Sequence, residues 1–139
     1  MPMRKMTENP TFMLKNAKTI LLVDWPGPDV PRSLVSAGFK VFSYSPGSYC
    51  SVSLKAGSKN LLFTNTPDGP GQVDIVNIFR PEEEHPTIIT QHVLPLKAKV
   101  LWLHPPVTSA KTAALARESG LVFIEGIDIA AMANELSVE

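Results

Sequence analysis

Three side chains that could do chemistry each follow directly after a run of apolar residues. They are Asp24, Arg80 and His104. A guanidinium binds phosphate through a bidentate fork, a carboxylate can hold a ribose hydroxyl or a cation, and an imidazole can act as an acid or a base. If the three converged in the fold, they would place a cation, an acid and a titratable base together.

Each of these residues also has a purely structural interpretation. Arg80 could pair with Asp24 or with the acidic run Glu82–Glu84. Asp24 could simply cap the turn at Gly27. No nucleophile or carboxylate partner for His104 stands out in the sequence, which favours a structural or solvated histidine. We therefore predict no catalytic residue, and we expect no reaction of the chain's own while leaving enzymatic activity open.

The elements that must position these residues alternate between strands and helices. Apolar or β-branched runs at residues 19–24, 40–44, 73–79, 98–103 and 121–124 predict strands, and helical patterns lie between most of them. Such alternation predicts βαβ units and an α/β fold with a mostly parallel sheet of five to six strands. Residues 61–63 predict an edge strand, whereas residues 48–60 show no periodicity that predicts an element.

The carboxyl ends of parallel strands meet at one edge of a sheet, where ligands of open α/β folds bind. Four loops are expected there, at residues 24–28, 45–46, 79–81 and 104–106. Asp24 to Pro28 form a sharp turn before a short helix. A strand, a tight turn and a helix N-terminus are the parts of a phosphate cradle.

Composition predicts one domain and excludes several classes of protein. The chain has 139 residues, 44% of them hydrophobic, and 13 basic residues balance 13 acidic ones. We expect a flexible N-terminus at residues 1–8, one domain at residues 9–139, and no attraction to nucleic acid. Cys50 is the only cysteine, and His85 and His92 lack a ligand spacing, so no metal site is expected. No segment is typical of a signal peptide or membrane span, which favours a cytoplasmic protein with no membrane contact.

Two segments, VDIVNIFRPEEEHPTII and AKVLWLHPPVTSAKTAALARESGLVFIEG, resemble the small CoA-binding-domain proteins. The matching positions are Val73, Asp74, Phe79, Arg80, Pro81, Ala98, Lys99, Trp102, Leu103, Ala116, Gly120 and Leu121. The resemblance covers residues 9–126. It implies a Rossmann-like three-layer fold that binds CoA, acyl-CoA or a related nucleotide at the carboxyl ends of the strands. The candidate binding residues, from the loops expected at that edge and from what remains of the family's phosphate loop, are Asp24, Trp25, Pro26, Gly27, Arg32, Ser33, Ser45, Pro46, Phe79, Arg80, Pro81 and His104.

The first loop departs from the pattern of that family. Asp24 stands where the family usually has glycine, and the segment up to Gly38 is shorter. Gly27 and the pair Arg32 and Ser33 are what remains of the phosphate loop. These departures favour an alternative, a degenerate Rossmann-like domain that no longer binds CoA and acts in protein interaction or assembly, with a homo-oligomer as one expected form.

Overall fold

Seven strands form one sheet in the computed structural model, which describes residues 9–45 and 48–137. The predicted flexible N-terminus at residues 1–8 and the predicted site residue Pro46 lie outside these ranges. The strands are β1 (Thr19–Val23), β2 (Lys40–Ser45), β3 (Ser48–Leu54), β4 (Leu61–Asn65), β5 (Ile75–Ile78), β6 (Val100–Leu103) and β7 (Val122–Ile124). Their order across the sheet is β4-β3-β2-β1-β5-β6-β7.

In residues 9–45 and 48–137, five α-helices connect or flank the strands. They are α1 (Pro10–Lys15), α2 (Asp29–Ser36), α3 (His85–Ile88), α4 (Ala110–Glu118) and α5 (Ile129–Ser137). A 3₁₀ turn at Glu82–Glu84 precedes α3, and a π-helical turn at Ile89–Val93 follows it. Within the described part of the chain, no helix combines the length and hydrophobicity needed to cross a bilayer.

From β1 the chain adds β2, β3 and β4 in turn on one side, and it then adds β5, β6 and β7 on the other side of β1. β1 and β5 pair in parallel, with Leu22 opposite Asn77. From β1 the chain crosses through α2 to β2 on one side, and from β5 it crosses through α3 to β6 on the other. The carboxyl ends of β1 and β5 therefore flank the topological switch point, where open parallel sheets form their ligand crevice.

Successive side chains of a strand point to opposite faces of the sheet. Because the parallel strands are apolar on both faces, helices cover both of them. On one face Leu22 and Trp102 pack with residues of α1, α2 and α5, and the Trp102 indole N–H donates to the Ile127 carbonyl at 2.8 Å. On the other face Leu21 and Leu101 pack with residues of α3, the π turn and α4. The result is a three-layer arrangement whose strands hold the loops of the carboxyl edge in place.

The predicted α/β fold is confirmed, with one more strand than the five to six expected. The additional strand is β3, in a stretch for which the sequence predicts no element. Its residues are mostly polar, and Val52 is its only buried hydrophobic residue. β3 forms because it pairs antiparallel with β2 and with β4, which is the edge strand predicted at residues 61–63.

One carboxylate ties the start of β1 to the start of β5. The Asp74 carboxylate accepts hydrogen bonds from the backbone N–H groups of Lys18 at 2.7 Å and Thr19 at 3.0 Å. We expect Asp74→Ala to lower the free energy of unfolding by about 1–3 kcal/mol, because two backbone donors lose their acceptor. Urea denaturation measures the change. Asp68→Ala, which removes an exposed carboxylate, serves as the control, and equal losses in the two variants would contradict the assignment.

Candidate functional site

The guanidinium of Arg80 bridges the two sides of the switch point. Arg80 follows β5, and its Nη1 donates at 2.9 Å to Oδ2 of Asp24, which belongs to the turn after β1. Its Nε and Nη2 donate to the two oxygens of Glu84 at 2.9 and 2.7 Å, in the bidentate geometry that suits a carboxylate. The three side chains are 38–45% exposed, so the cluster lies at the surface of the carboxyl edge.

Arg80 is electrostatically matched to its two carboxylates. The hydrogen bonds that Arg80 donates to Glu84, and then the one that it donates to Asp24, raise the pKa of Arg80 above its ordinary value. The bond to Arg80 in turn holds the pKa of Glu84 below its ordinary value. The described contacts use three of the five guanidinium N–H groups. The cluster therefore carries one net negative charge and keeps two N–H donors for another acceptor.

Asp24 occupies a backbone conformation that usually selects glycine. Its φ is +63°, in the left-handed region, where aspartate is one of the few tolerated residues. The Asp24 carboxylate accepts from the backbone N–H of Trp25 at 2.9 Å, which stabilises the turn locally. The turn thus retains the conformation expected of a glycine while adding a carboxylate directed at Arg80.

The N-terminus of α4 is occupied by side chains of the chain itself. Ser109 caps the helix by accepting from the Thr112 backbone N–H at 3.0 Å, and its hydroxyl donates to Glu82. The backbone N–H of Ser109 donates to Glu125 at 3.1 Å. Two carboxylates therefore sit where the helix dipole would attract an anionic ligand.

The N-terminus of α5 has a carboxylate as well. Asp128 accepts from the backbone N–H groups of Ala130 at 2.8 Å and Ala131 at 3.1 Å. Its second oxygen lies 4.0 Å from Nε2 of His104. This carboxylate caps the helix and gives the carboxyl edge a further negative charge.

His104 is buried beneath this edge and bonds to a residue that the motifs did not reveal. Its side chain is 4% exposed, and its Nδ1 accepts from the Asn77 amide at 3.4 Å, which leaves the proton on Nε2, towards Asp128. Burial lowers the pKa of His104, and Asp128 opposes that shift. Asn77 Oδ1 is buried without a partner among the described residues. The signal for Asn77 was present as the single amide inside the apolar strand VDIVNIF.

His85 binds the backbone carbonyl of Arg80. Its ring is fully buried, with Nε2 donating to the Arg80 carbonyl at 2.8 Å and Nδ1 accepting from the Thr112 hydroxyl at 2.7 Å. Because Thr112 belongs to α4, the imidazole joins the end of β5 to that helix. Among the residues that the structure describes, no cluster of histidine, cysteine and carboxylate side chains could hold a metal ion.

Two of the predicted residues in α2 bond away from the switch point. Arg32 pairs with Asp29 at 3.1 Å and donates to the Lys59 carbonyl at 3.0 Å. The Ser33 hydroxyl accepts from the Asn134 amide of α5 at 3.2 Å. These residues fasten α2 to the β3–β4 hairpin and to α5.

The remaining predicted residues lie on or beside the carboxyl edge. Trp25 stacks on Phe63 with ring centroids 5.7 Å apart, and the Phe79 ring contacts His104 edge-on at 5.8 Å. The Gly27 carbonyl accepts from the Val30 N–H at 3.3 Å. Pro26 and Pro81 are exposed, and Ser45 ends β2. The structure thus brings Asp24 and Arg80 together, whereas the contacts described for Trp25, Arg32, Ser33, Phe79 and His104 are with other residues. Whether they bind a ligand stays a prediction.

A mostly parallel sheet whose parallel strands are covered on both faces, with a switch point between β1 and β5, defines a Rossmann-like α/β domain. Residues 23–129, more than half of the chain, match the family model described as the CoA binding domain. The chain belongs to that family, which confirms the resemblance recognised in its motifs.

Solved structures share the fold at low sequence identity. A protein of Thermus thermophilus is 21% identical, with a TM-score of 0.68 over 89% of this chain and 93% of that one. A protein redesigned for binding is 19% identical, with a TM-score of 0.70 over 99% and 97%. A hypothetical protein from Pyrococcus horikoshii OT3 is 16% identical, with a TM-score of 0.62 over 98% and 99%. No curated protein sequence matches this chain.

We expect the buried histidines to make the protein less stable in mild acid. Burial lowers the pKa values of His92 and His104, so between those values and the ordinary value of 6.5 the unfolded chain binds more protons. The free energy of unfolding is therefore highest above pH 6.5 and falls as the pH drops below it. Urea unfolding at about pH 7.5 and about pH 5.5 measures the slope.

His104→Gln removes one of the two groups and should flatten this dependence. Asp128→Asn removes the charge that favours protonated His104, and it should steepen the dependence. The assignment is wrong if wild type and His104→Gln lose equal stability between the two pH values.

Proposed function

We propose that this chain is a small nucleotide-binding module that takes CoA, acyl-CoA or a related nucleotide at the carboxyl ends of β1 and β5. The observation that carries the proposal is the guanidinium of Arg80 at the switch point, with two N–H groups available. Membership of the CoA binding domain family supports it. We assign no reaction to the site, because His104, the one candidate acid or base, is buried.

In this proposal a phosphate group of the ligand exchanges with Asp24 as a partner of Arg80. The ion pair to be broken is exposed by about 40% at both ends, and exposed pairs contribute little to stability. Glu84 can keep its bidentate bond while the N–H group released by Asp24 and the two available N–H groups face the phosphate. The ligand therefore meets a guanidinium that Glu84 and the His85–carbonyl bond already hold in place.

Asp24 sets the affinity in the same proposal. The Asp24 carboxylate lies 2.9 Å from the guanidinium, so it competes with a phosphate for Arg80. Its negative charge also repels that phosphate. A ligand with fewer negative charges near this point pays a smaller electrostatic cost. Asp24 thereby acts as an internal competitor for the site.

A second candidate function, interaction or assembly without a nucleotide, is favoured by the carboxylates themselves. Arg80 is already bonded to two of them, and the N-termini of α4 and α5 hold others from Glu82, Glu125 and Asp128. In this second candidate the carboxylates keep all of these contacts, and no added anion displaces any of them.

Isothermal titration calorimetry with CoA, acetyl-CoA, NAD and ATP separates the two candidates. We expect CoA or acetyl-CoA to bind, and Arg80→Ala to weaken binding by about tenfold or more, because charge-assisted bonds to phosphate are lost. Asp24→Asn should strengthen binding several-fold by removing the competing charge while keeping an acceptor for the Trp25 N–H.

Asp29→Asn is the matched control, because Asp29 is also a carboxylate of the first loop region but pairs with Arg32 instead. It should leave the affinity unchanged. If none of the four ligands binds at millimolar concentration, to wild type or to Asp24→Asn, the nucleotide proposal fails and the second candidate stands.

A further inference from the structure

The outer edge of β4 is apolar and has no strand beside it. β4 ends the sheet, and no backbone group of the described residues bonds to its far side. Leu62 is 49% exposed and Phe63 is 41% exposed. The residues of β4, LLFTN, include no charge and no proline, which are the usual features that prevent an edge strand from pairing. This edge is therefore suited to receive another strand.

Alternate residues of β4 direct their backbone groups away from β3. The Lys55 N–H donates to the Asn60 carbonyl, and the Thr66 N–H donates to the Tyr49 carbonyl, each at 2.8 Å. Because hydrogen-bonded residues alternate along an antiparallel ladder, the even-numbered residues of this segment bond to β3. The outward N–H and C=O groups belong to the odd-numbered residues, Leu61, Phe63 and Asn65.

We propose that two copies of this chain pair through antiparallel β4 strands about a two-fold axis at Phe63. This register places Phe63 opposite its own copy and Leu61 opposite Asn65 of the second copy. Every outward N–H and C=O group of the strand then meets a partner, whereas a shift along the strand leaves some of them unpaired. Two identical antiparallel strands are related by a two-fold axis, which is the commonest symmetry of homodimers.

Aromatic side chains reinforce the same register. Phe63 is stacked on Trp25 with an angle of 9° between the rings. In this register the two Phe63 side chains lie opposite each other on the same face of the joined sheet. Each Phe63 keeps its own Trp25 on the side away from the two-fold axis. Cross-strand aromatic pairs of this kind stabilise sheets.

The charges that flank β4 favour a second copy as the occupant. Lys59 lies just before the strand and Asp68 just after it, and both are exposed. Antiparallel pairing brings the Lys59 end of one copy towards the Asp68 end of the other at both ends of the interface. The strand is thus complementary to itself in backbone bonding, apolar surface and charge. This proposal does not rest on nucleotide binding.

Sedimentation velocity over the micromolar to millimolar range tests the dimer. We expect the wild type to shift from monomer to dimer with concentration. Phe63→Lys and Phe63→Glu should each remain monomeric, because like charges meet on the axis. An equimolar mixture of the two variants should recover a dimer, because opposite charges then meet. Leu94→Lys, which changes another exposed hydrophobic residue outside β4, should behave as wild type.

Cysteine trapping tests the register and does not require the charged variants to fold. In a Cys50→Ser background, Phe63→Cys should form an intermolecular disulfide on mild oxidation, because the two positions face each other. Asn65→Cys, on the same face of the same strand, lies opposite Leu61 and should not. A monomer at all concentrations, a mixture that does not dimerise, or equal cross-linking at both positions would overturn the proposal.

Discussion

The structure of the carboxyl edge depends on one residue that is held from several directions. The Arg80 side chain is bonded to Asp24 on one side of the switch point and to Glu84 on the other, while His85 holds its carbonyl. The β1 turn, the end of β5 and the start of α3 are connected through these bonds. A ligand that binds Arg80 therefore meets a guanidinium whose position is already determined.

The chain's own carboxylates take the positions that anions usually occupy at this edge. In a simple phosphate cradle the free N–H groups of a helix N-terminus attract the ligand. Here Glu125 accepts from the backbone N–H of Ser109, the N-cap residue of α4, and Asp128 accepts from the first turn of α5, so carboxylates already face both helix dipoles. The attraction for a phosphate then depends on Arg80 far more than on helix termini. The compensating carboxylates lie on elements of an otherwise ordinary α/β fold, so they change the charge of this edge without changing the topology.

The sequence predicts the buried strands well and the polar contacts poorly, for a physical reason. β1, β5 and β6 are apolar runs whose burial on two faces is encoded locally. β3 is encoded by its neighbours, because its polar residues form a strand only between β2 and β4. The Asp24–Arg80 pair was among the alternatives that residue types allowed, but the bond between Ser109 and Glu82 joins residues 27 positions apart through two strand registers and a crossover. No local pattern specifies such a distance.

The switch point and the free edge of the sheet share one short turn. Asp24 bonds to Arg80, and the next residue, Trp25, stacks on Phe63 of β4. A phosphate that displaces Asp24 removes a constraint on this turn but leaves the aromatic stack intact. In the proposed dimer the second copy lies beside Phe63, the residue on which Trp25 stacks. The proposed pairing at β4 and the proposed exchange at Arg80 therefore act on adjacent residues of one turn, Asp24 and Trp25.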